Sequence, residues 1–230
     1  MAGILDIGES GSGKTCMMRN MPFDDIAVFN VAGKPLPFKG KIPAMITTHD
    51  IDAIIASLLR NNYNCYIIDD SQYLMSFKLI DKINETGYGK YTEVAKDFKR
   101  LVDVANNGVS PDTLVYFLHH VETTDTGFHK AKTSGKMIDN WLTLEGLFSI
   151  VLLNTVGGDR KYKVITQSDG TNTCKSPIGM FPEVMDNDLL TIDKAIRDYY
   201  ELAPLGSKPK KAKIEPKATV SVSDKVPGAK

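Results

Sequence analysis

Cysteine is scarce in this 230-residue chain: Cys16, Cys65 and Cys174 are the only three, with no CxxC spacing among them. An odd, scattered set excludes a disulfide scaffold and a thiolate metal centre, and fits reduced thiols in a cytosol. Long apolar runs are missing too. Stretches such as Ile150–Leu153 fall far short of the roughly 18 residues that span a bilayer, and the N-terminus opens on a strand pattern rather than a charged leader. The expectation is a soluble, cytoplasmic protein with no membrane partner. Arginine is rare, five against 23 lysines, which speaks against the Arg-rich lid of a small-molecule kinase. A charge surplus is absent as well, since Lys+Arg 28 balance Asp+Glu 28.

That neutrality is an average. Residues 206–230 hold seven Lys against Glu215 and Asp224, a surplus of five, so the rest of the chain carries five negative charges. With three prolines and no aromatics, this stretch cannot bury enough apolar surface to offset its ordering entropy. The chain therefore reads as a core over 1–204 and a disordered Lys/Pro-rich tail over 205–230. Such a tail is either a solvated solubility segment or an electrostatic arm for nucleic acid or an acidic partner.

Within the core, apolar runs of strand length stand at Ile4–Ile7, Ile26–Val31, Cys65–Ile68, Leu114–Leu118 and Leu147–Leu153, and Tyr162–Thr166 alternates like a half-exposed strand. Ile51, Ile54, Ile55, Leu58 and Leu59 fall at helical spacing, and Val94, Phe98, Leu101, Val102 and Ala105 repeat that stripe. A last helix is placed over 187–200. Strands alternating with helices give an α/β fold, a mostly parallel sheet flanked by helices, with ligands expected at the carboxyl ends of the strands. Residues 161–175 read as a C-terminal β-hairpin turning at Ser168-Asp169-Gly170.

Directly after the first strand comes Gly8-Glu9-Ser10-Gly11-Ser12-Gly13-Lys14-Thr15, a complete G-x-x-x-x-G-K-[ST] loop, with Cys16 next and a helix expected to begin near Lys14. Glycines let the backbone N–H groups close around a polyphosphate, Lys14 adds a point charge for the β- and γ-phosphates, and the Thr15 hydroxyl suits Mg²⁺. ATP with Mg²⁺ is the expected ligand. The loop starts at residue 8, and no folded domain is expected ahead of the core.

Cys65-Tyr66-Ile67-Ile68-Asp69-Asp70 supplies the second acidic motif expected at a strand end. Asp69 is the candidate Mg²⁺ carboxylate, although an acid pair there could instead cap a helix starting near Ser71. Asp70 stands where related NTPases carry a water-activating carboxylate, usually Glu; the shorter side chain predicts slow hydrolysis. Leu114–Leu118 ends in His119-His120-Val121-Glu122, where a polar group can sense the γ-phosphate, and His120 is the preferred sensor. A metal reading of this cluster lacks a third ligand group.

The chain resembles the RecA-like phage NTPases, in particular the short phage proteins reduced to the RecA core that act as single-strand annealing recombinases of the Sak group. The resemblance spans most of residues 1–200 and rests on GESGSGKT at 8–15, AGKPLPFKGK at 32–41, YIIDD at 66–70, FLHHVE at 117–122 and DGTNTCKSPIGMFP at 169–182. It implies a homo-oligomer, ring or filament, acting on single-stranded DNA in a host cytoplasm, with a single-strand-binding protein as a further partner. It also implies two DNA-facing loops, here Asn84–Thr92 and Val121–Lys136. The second carries Phe128, His129, Lys130, Lys132 and Lys136, an aromatic among cations that suits backbone attraction and base stacking. Lys175, with Arg160 as runner-up, is the candidate for a charge reaching a neighbouring protomer's nucleotide; a solvated surface lysine is the plainer reading. One departure concerns the strand after the phosphate loop, which ends Asn30-Val31-Ala32-Gly33 without the catalytic Glu of RecA proteins. An AAA-type helicase loader or packaging ATPase is the alternative, but it would be expected to carry a helical lid with a sensor arginine, and the last helix offers only Arg197.

Overall fold

The computed structural model describes residues 3–139 and 142–209, the side chains of 136 and 137 excepted. In chain order the elements are β1 (Gly3–Gly8), β2 (Ala27–Asn30), β3 (Ala44–Thr47), α1 (Ile51–Arg60), β4 (Cys65–Asp69), α2 (Gln72–Asp81) and α3 (Gly89–Asn107). There follow β5 (Leu114–Thr123), β6 (His129–Ala131), α4 (Lys136–Asp139), β7 (Ile150–Val156), β8 (Tyr162–Ile165), β9 (Val184–Asp186) and α5 (Leu189–Tyr199). Short 3₁₀ turns occupy Thr15–Asn20, Phe23–Asp25 and Leu144–Leu147.

Among the described residues, the nine strands join one sheet, ordered β3-β2-β4-β5-β1-β7-β8-β9 with β6 hanging on β5. From β3 to β7 the pairing is parallel, and β6, β8 and β9 are antiparallel additions. The chain leaves β1 for β2, three places away, and returns to β1's flanks only with β5 and β7. That switch leaves a crevice beyond the carboxyl end of β1. Register sets the neighbours of the crevice: Gly8 stands opposite His120 on one side and Asn154 on the other.

Alternation along the buried strands feeds two cores. Leu5, Ile7, Phe29, Ile68, Phe117 and Val151 pack under α1, α2 and α3, while Ile4, Val28, Ile67, Leu118 and Leu152 pack under α5 and the Met17–Met18 turn. The stripe Val94, Phe98, Leu101, Val102 and Ala105 is buried on α3, as its spacing requires. Asp50 caps α1 by accepting from Asp52 N and Ala53 N, and Asp188 caps α5 through Leu190 N. At the far end of the sheet, Arg197 donates to Asp193, to Asp112 O and to Asn64 O, pinning α5 to the segments that lead into β5 and β4.

Three local expectations change. The helix expected near Lys14 is a short 3₁₀ element, Thr15–Asn20. Pro22 bars its preceding residue from helical geometry, and Met21 is extended at ψ 145. The C-terminal hairpin is built from β7 and β8, with Val156 opposite Tyr162. The 157–161 turn closes through Gly157 N on Lys161 O and Arg160 N on Gly157 O, with Arg160 left-handed at φ 61, so β8 folds back on β7 and takes β9 as its second neighbour. The 168–170 turn instead lies in the link that meets β6, where His129 bridges Asn172. Finally, α3 already begins at Gly89, so only the first part of the 84–92 segment is a loop. At the C-terminus, Leu205 joins the core and Gly206 N donates to Asn64 Oδ1, while the tail from residue 210 onward lies outside the described residues.

Candidate functional site

The phosphate loop bends through Gly11 at φ 82 and Gly13 at φ 93, conformations in which a side chain would be strained. Gly13 is also short of room: a Cβ there would come within 2.8 Å of the Tyr162 ring. Lys14 is buried and donates from Nζ to Gly8 O and Glu9 O, both at 2.8 Å. Its ammonium thus sits inside the loop that it would serve. Burial lowers its pKa, against the pull of Asp70, Asp6 and Asp69. Thr15 Oγ1 lies 3.0 and 3.1 Å from the two Asp69 oxygens and donates to that carboxylate.

Asp69 and Asp70 end β4 in different states. Burial, together with the charge of Asp70, pushes Asp69 up to about 6. Burial would raise Asp70 too, but contacts from His120 and Lys34 outweigh it and bring Asp70 down to about 2. Asp70 sits at φ 61, a left-handed conformation that Asp tolerates better than most residues. Lys34 Nζ is 2.6 Å from Asp70 Oδ2, and His120 Nε2 is 3.2 Å from Asp70 Oδ1, out of line for a hydrogen bond.

Lys14, Thr15, Lys34, Asp69, Asp70 and His120 line a cavity of about 280 Å³, together with Ser10, Gly11, Gly13 and Cys16 of the phosphate loop and Tyr162 of β8. The sequence motifs therefore converge, with Lys34 and Tyr162 as additions that their own segments did not announce. Glu9 and Ser12 face a second cavity, about 270 Å³, on the other flank of the loop. There Thr123 Oγ1 donates to Glu9 Oε1 at 3.0 Å and stands 3.1 Å from His129 Nδ1, joining the phosphate loop to the β5–β6 hairpin. With the Thr123 proton spent on Glu9, His129 Nδ1 is the donor to the Thr123 oxygen.

Beneath the loop runs a polar chain that the motifs did not reveal. Asn154 donates to Asp6 at 2.5 Å, and Asn187 donates to Asn154 Oδ1 and to Gly13 O. Arg19 closes the chain on Asn187 Oδ1. Asp6 is fully buried, and this pushes its carboxyl up to about 7. His119 is equally buried and points away from the cavity, into the core beside Phe98.

Residues 121–131 of the 121–136 segment form an ordered hairpin rather than an open loop: β5 continues to Thr123, turns tightly, and returns as β6, with 132–135 linking it to α4. Thr124 fixes that turn through Gly127 N and Phe128 N, which leaves Phe128 and His129 half-buried. Lys130 is paired with Asp139 at 3.1 Å and approaches Glu122 at 3.8 Å, whereas Lys132 is exposed. Lys136 begins α4, and its side chain lies outside the described residues. Lys175 bridges Val151 by its backbone and does not line the main cavity, while Arg160 at φ 61 sits in the β7–β8 turn. Arg197 is 4% exposed at the opposite end of the sheet, remote from the crevice.

Thr15 and Asp69 are oxygen donors of the kind Mg²⁺ takes. Among the described residues no three His, Cys, Asp or Glu side chains gather into a metal cage. That donor set suits an ion held mainly by phosphates and water, and the residues present fit it. Among the same residues, no helix is long and apolar enough to cross a membrane, and all three cysteines are free thiols.

No family model matches the chain, and no curated protein matches it. Among solved structures, the pilus retraction motor PilT with bound ADP aligns at 15% identity with a TM-score of 0.36, over 87% of this chain and 53% of that one. The chain thus spans about half the length of that motor. The sheet order, with β5 between the loop strand β1 and the acidic strand β4, and the glycine-rich loop at the crevice make this a P-loop NTPase-like α/β fold.

Proposed function

We propose that the chain is a RecA-like protein that binds ATP with Mg²⁺ and uses the bound nucleotide to control single-stranded DNA, promoting annealing or recombination as a homo-oligomer. The observation that carries the nucleotide reading is the convergence of Lys14, Thr15, Asp69, Asp70 and His120 on one cavity. The triphosphate would lie along the loop with its γ end at Asp70 and His120. Tyr162 lines the same cavity and would offer a ring on which a base could stack. Mg²⁺ would join Thr15 and Asp69 to the phosphates and offset their charge. Asp70 is shorter by one methylene than the usual Glu and stands beside His120, 3.2 Å away, which agrees with slow, assembly-coupled hydrolysis.

The DNA reading rests on the resemblance and on one contact. Glu9 of the phosphate loop and His129 of the hairpin share Thr123, so a ligand that moves the loop has a route to the hairpin. Lys132 and His129 are its best-placed contacts; Lys130 would have to leave Asp139 first. Lys175 or Arg160 would complete a neighbour's site in trans. The test is single-stranded DNA binding across a salt series, with and without ATP-Mg²⁺, for the wild type and a Phe128→Ala, Lys132→Ala variant. Nucleotide-dependent binding that weakens steeply with salt and falls in the variant supports the reading; no binding at low salt in either state removes it. The loader alternative loses its sensor arginine, because Arg197 is buried against Asp193.

A further inference from the structure

The cavity holds a cation that no motif requires. Lys34 leaves the end of β2 on a short, pinned segment: Asn30 Nδ2 donates to Lys34 O at 2.6 Å, Gly33 turns the chain at φ 67, and Pro35 and Pro37 stiffen the backbone on its C-terminal side. The lysine is therefore delivered to the cavity from a backbone held on both sides, and its freedom lies in its side chain.

Charge defines the task. Among the described residues, Lys14 and Lys34 are the two ammonium groups lining the cavity, and no arginine lines it. A triphosphate brings more negative charge than Lys14 alone offsets. The Lys34 side chain is 59% exposed while its partner Asp70 is 6% exposed, so the ammonium rests at the mouth and the carboxylate lies inside. The lysine end of this pair is open to water, which weakens it, whereas a charge-assisted bond to phosphate is among the stronger contacts available. If Lys34 swings away, Asp70 keeps the neighbouring His120. The exchange of carboxylate for phosphate needs only side-chain rotation.

We infer that Lys34 is a second phosphate-binding cation supplied in cis, parked on Asp70 until the terminal phosphate of a nucleoside triphosphate takes it. This rests on the nucleotide reading of the cavity. It makes Lys34 the group that distinguishes a triphosphate from a diphosphate, since Lys14 reaches both.

The experiment measures ATP and ADP affinity by calorimetry, with Mg²⁺, for the wild type, Lys34→Ala and Lys34→Arg, with a thermal melt of each. Lys34→Ala is expected to weaken ATP by about tenfold or more and ADP by less than about threefold, with Lys34→Arg retaining most of the preference for ATP. Equal loss for both nucleotides, no loss for either, or a wild type that does not prefer ATP overturns the assignment while leaving the cavity a nucleotide site. A wild type that binds neither nucleotide removes the nucleotide reading itself, and the role of Lys34 with it.

Discussion

His119 joins the acidic strand end to the β5–β6 hairpin: its Nδ1 is 2.9 Å from Ser71 Oγ and its Nε2 is 2.8 Å from Lys132 O. A carbonyl can only accept, so Nε2 carries the proton and Nδ1 accepts from the Ser71 hydroxyl. The two adjacent histidines of the sequence thus divide: His120 faces the cavity, and His119 holds the frame around it.

Replacing His119 with Ala leaves the Lys132 carbonyl without this donor, leaves the Ser71 hydroxyl to Leu118 O at 3.2 Å, and opens a void beside Phe98. Denaturant unfolding at pH 7.5 is expected to show a loss of about 2–4 kcal/mol. Burial holds this ring down at about 3. The unfolded chain therefore binds a proton that the folded chain refuses, and the stability His119 confers is lost as pH falls from about 6.5 toward 3. His119→Ala should flatten that acid limb; an unchanged limb would show that other groups set it.

Asp6 predicts the opposite slope. Its folded pKa of about 7 lies above the unfolded value of 3.8, so the folded state keeps a proton that the unfolded state releases. Its contribution to stability is full below about pH 4 and declines as pH rises to 7. Asp6→Asn should match the wild type near pH 4 and exceed it at pH 8 by an amount on the order of 3 kcal/mol. Unfolding midpoints at the two pH values check this, and a pH-independent difference would contradict it.

Asp69→Asn should spare nucleotide binding without metal and remove most of what Mg²⁺ adds. Titration with ATP, with Mg²⁺ or with a chelator, is expected to show a metal-dependent gain of about tenfold or more in the wild type and almost none in the variant. An equal gain in both proteins would place the metal elsewhere.

The parts of the site legible in the sequence are those whose chemistry is contiguous. GESGSGKT, YIIDD and FLHHVE each carry their own residues, and strand order alone has to bring them together. Lys34, Tyr162, Asn154 and Asn187 are not legible because each lies in a different segment and is delivered by topology. Lys34 comes from AGKPLPFKGK, a proline-rich stretch without periodicity that carries part of the resemblance but does not single out this lysine. Tyr162 reads as a strand residue, which it is, but the sequence pairs it with the wrong strand, because alternation fixes a face and not a neighbour. Of the strands, β3, β6 and β9 are three or four residues long, too short to show a period.

The most direct test of the central claim is a titration of the wild type and Lys14→Ala with a fluorescent ATP analogue, displaced by unlabelled ATP, with a thermal melt of both proteins. Saturable one-to-one binding that ATP displaces, weakened by about tenfold to a hundredfold in Lys14→Ala without loss of the folding transition, is the predicted result. Failure of the wild type to bind, or undiminished binding in Lys14→Ala, would contradict it.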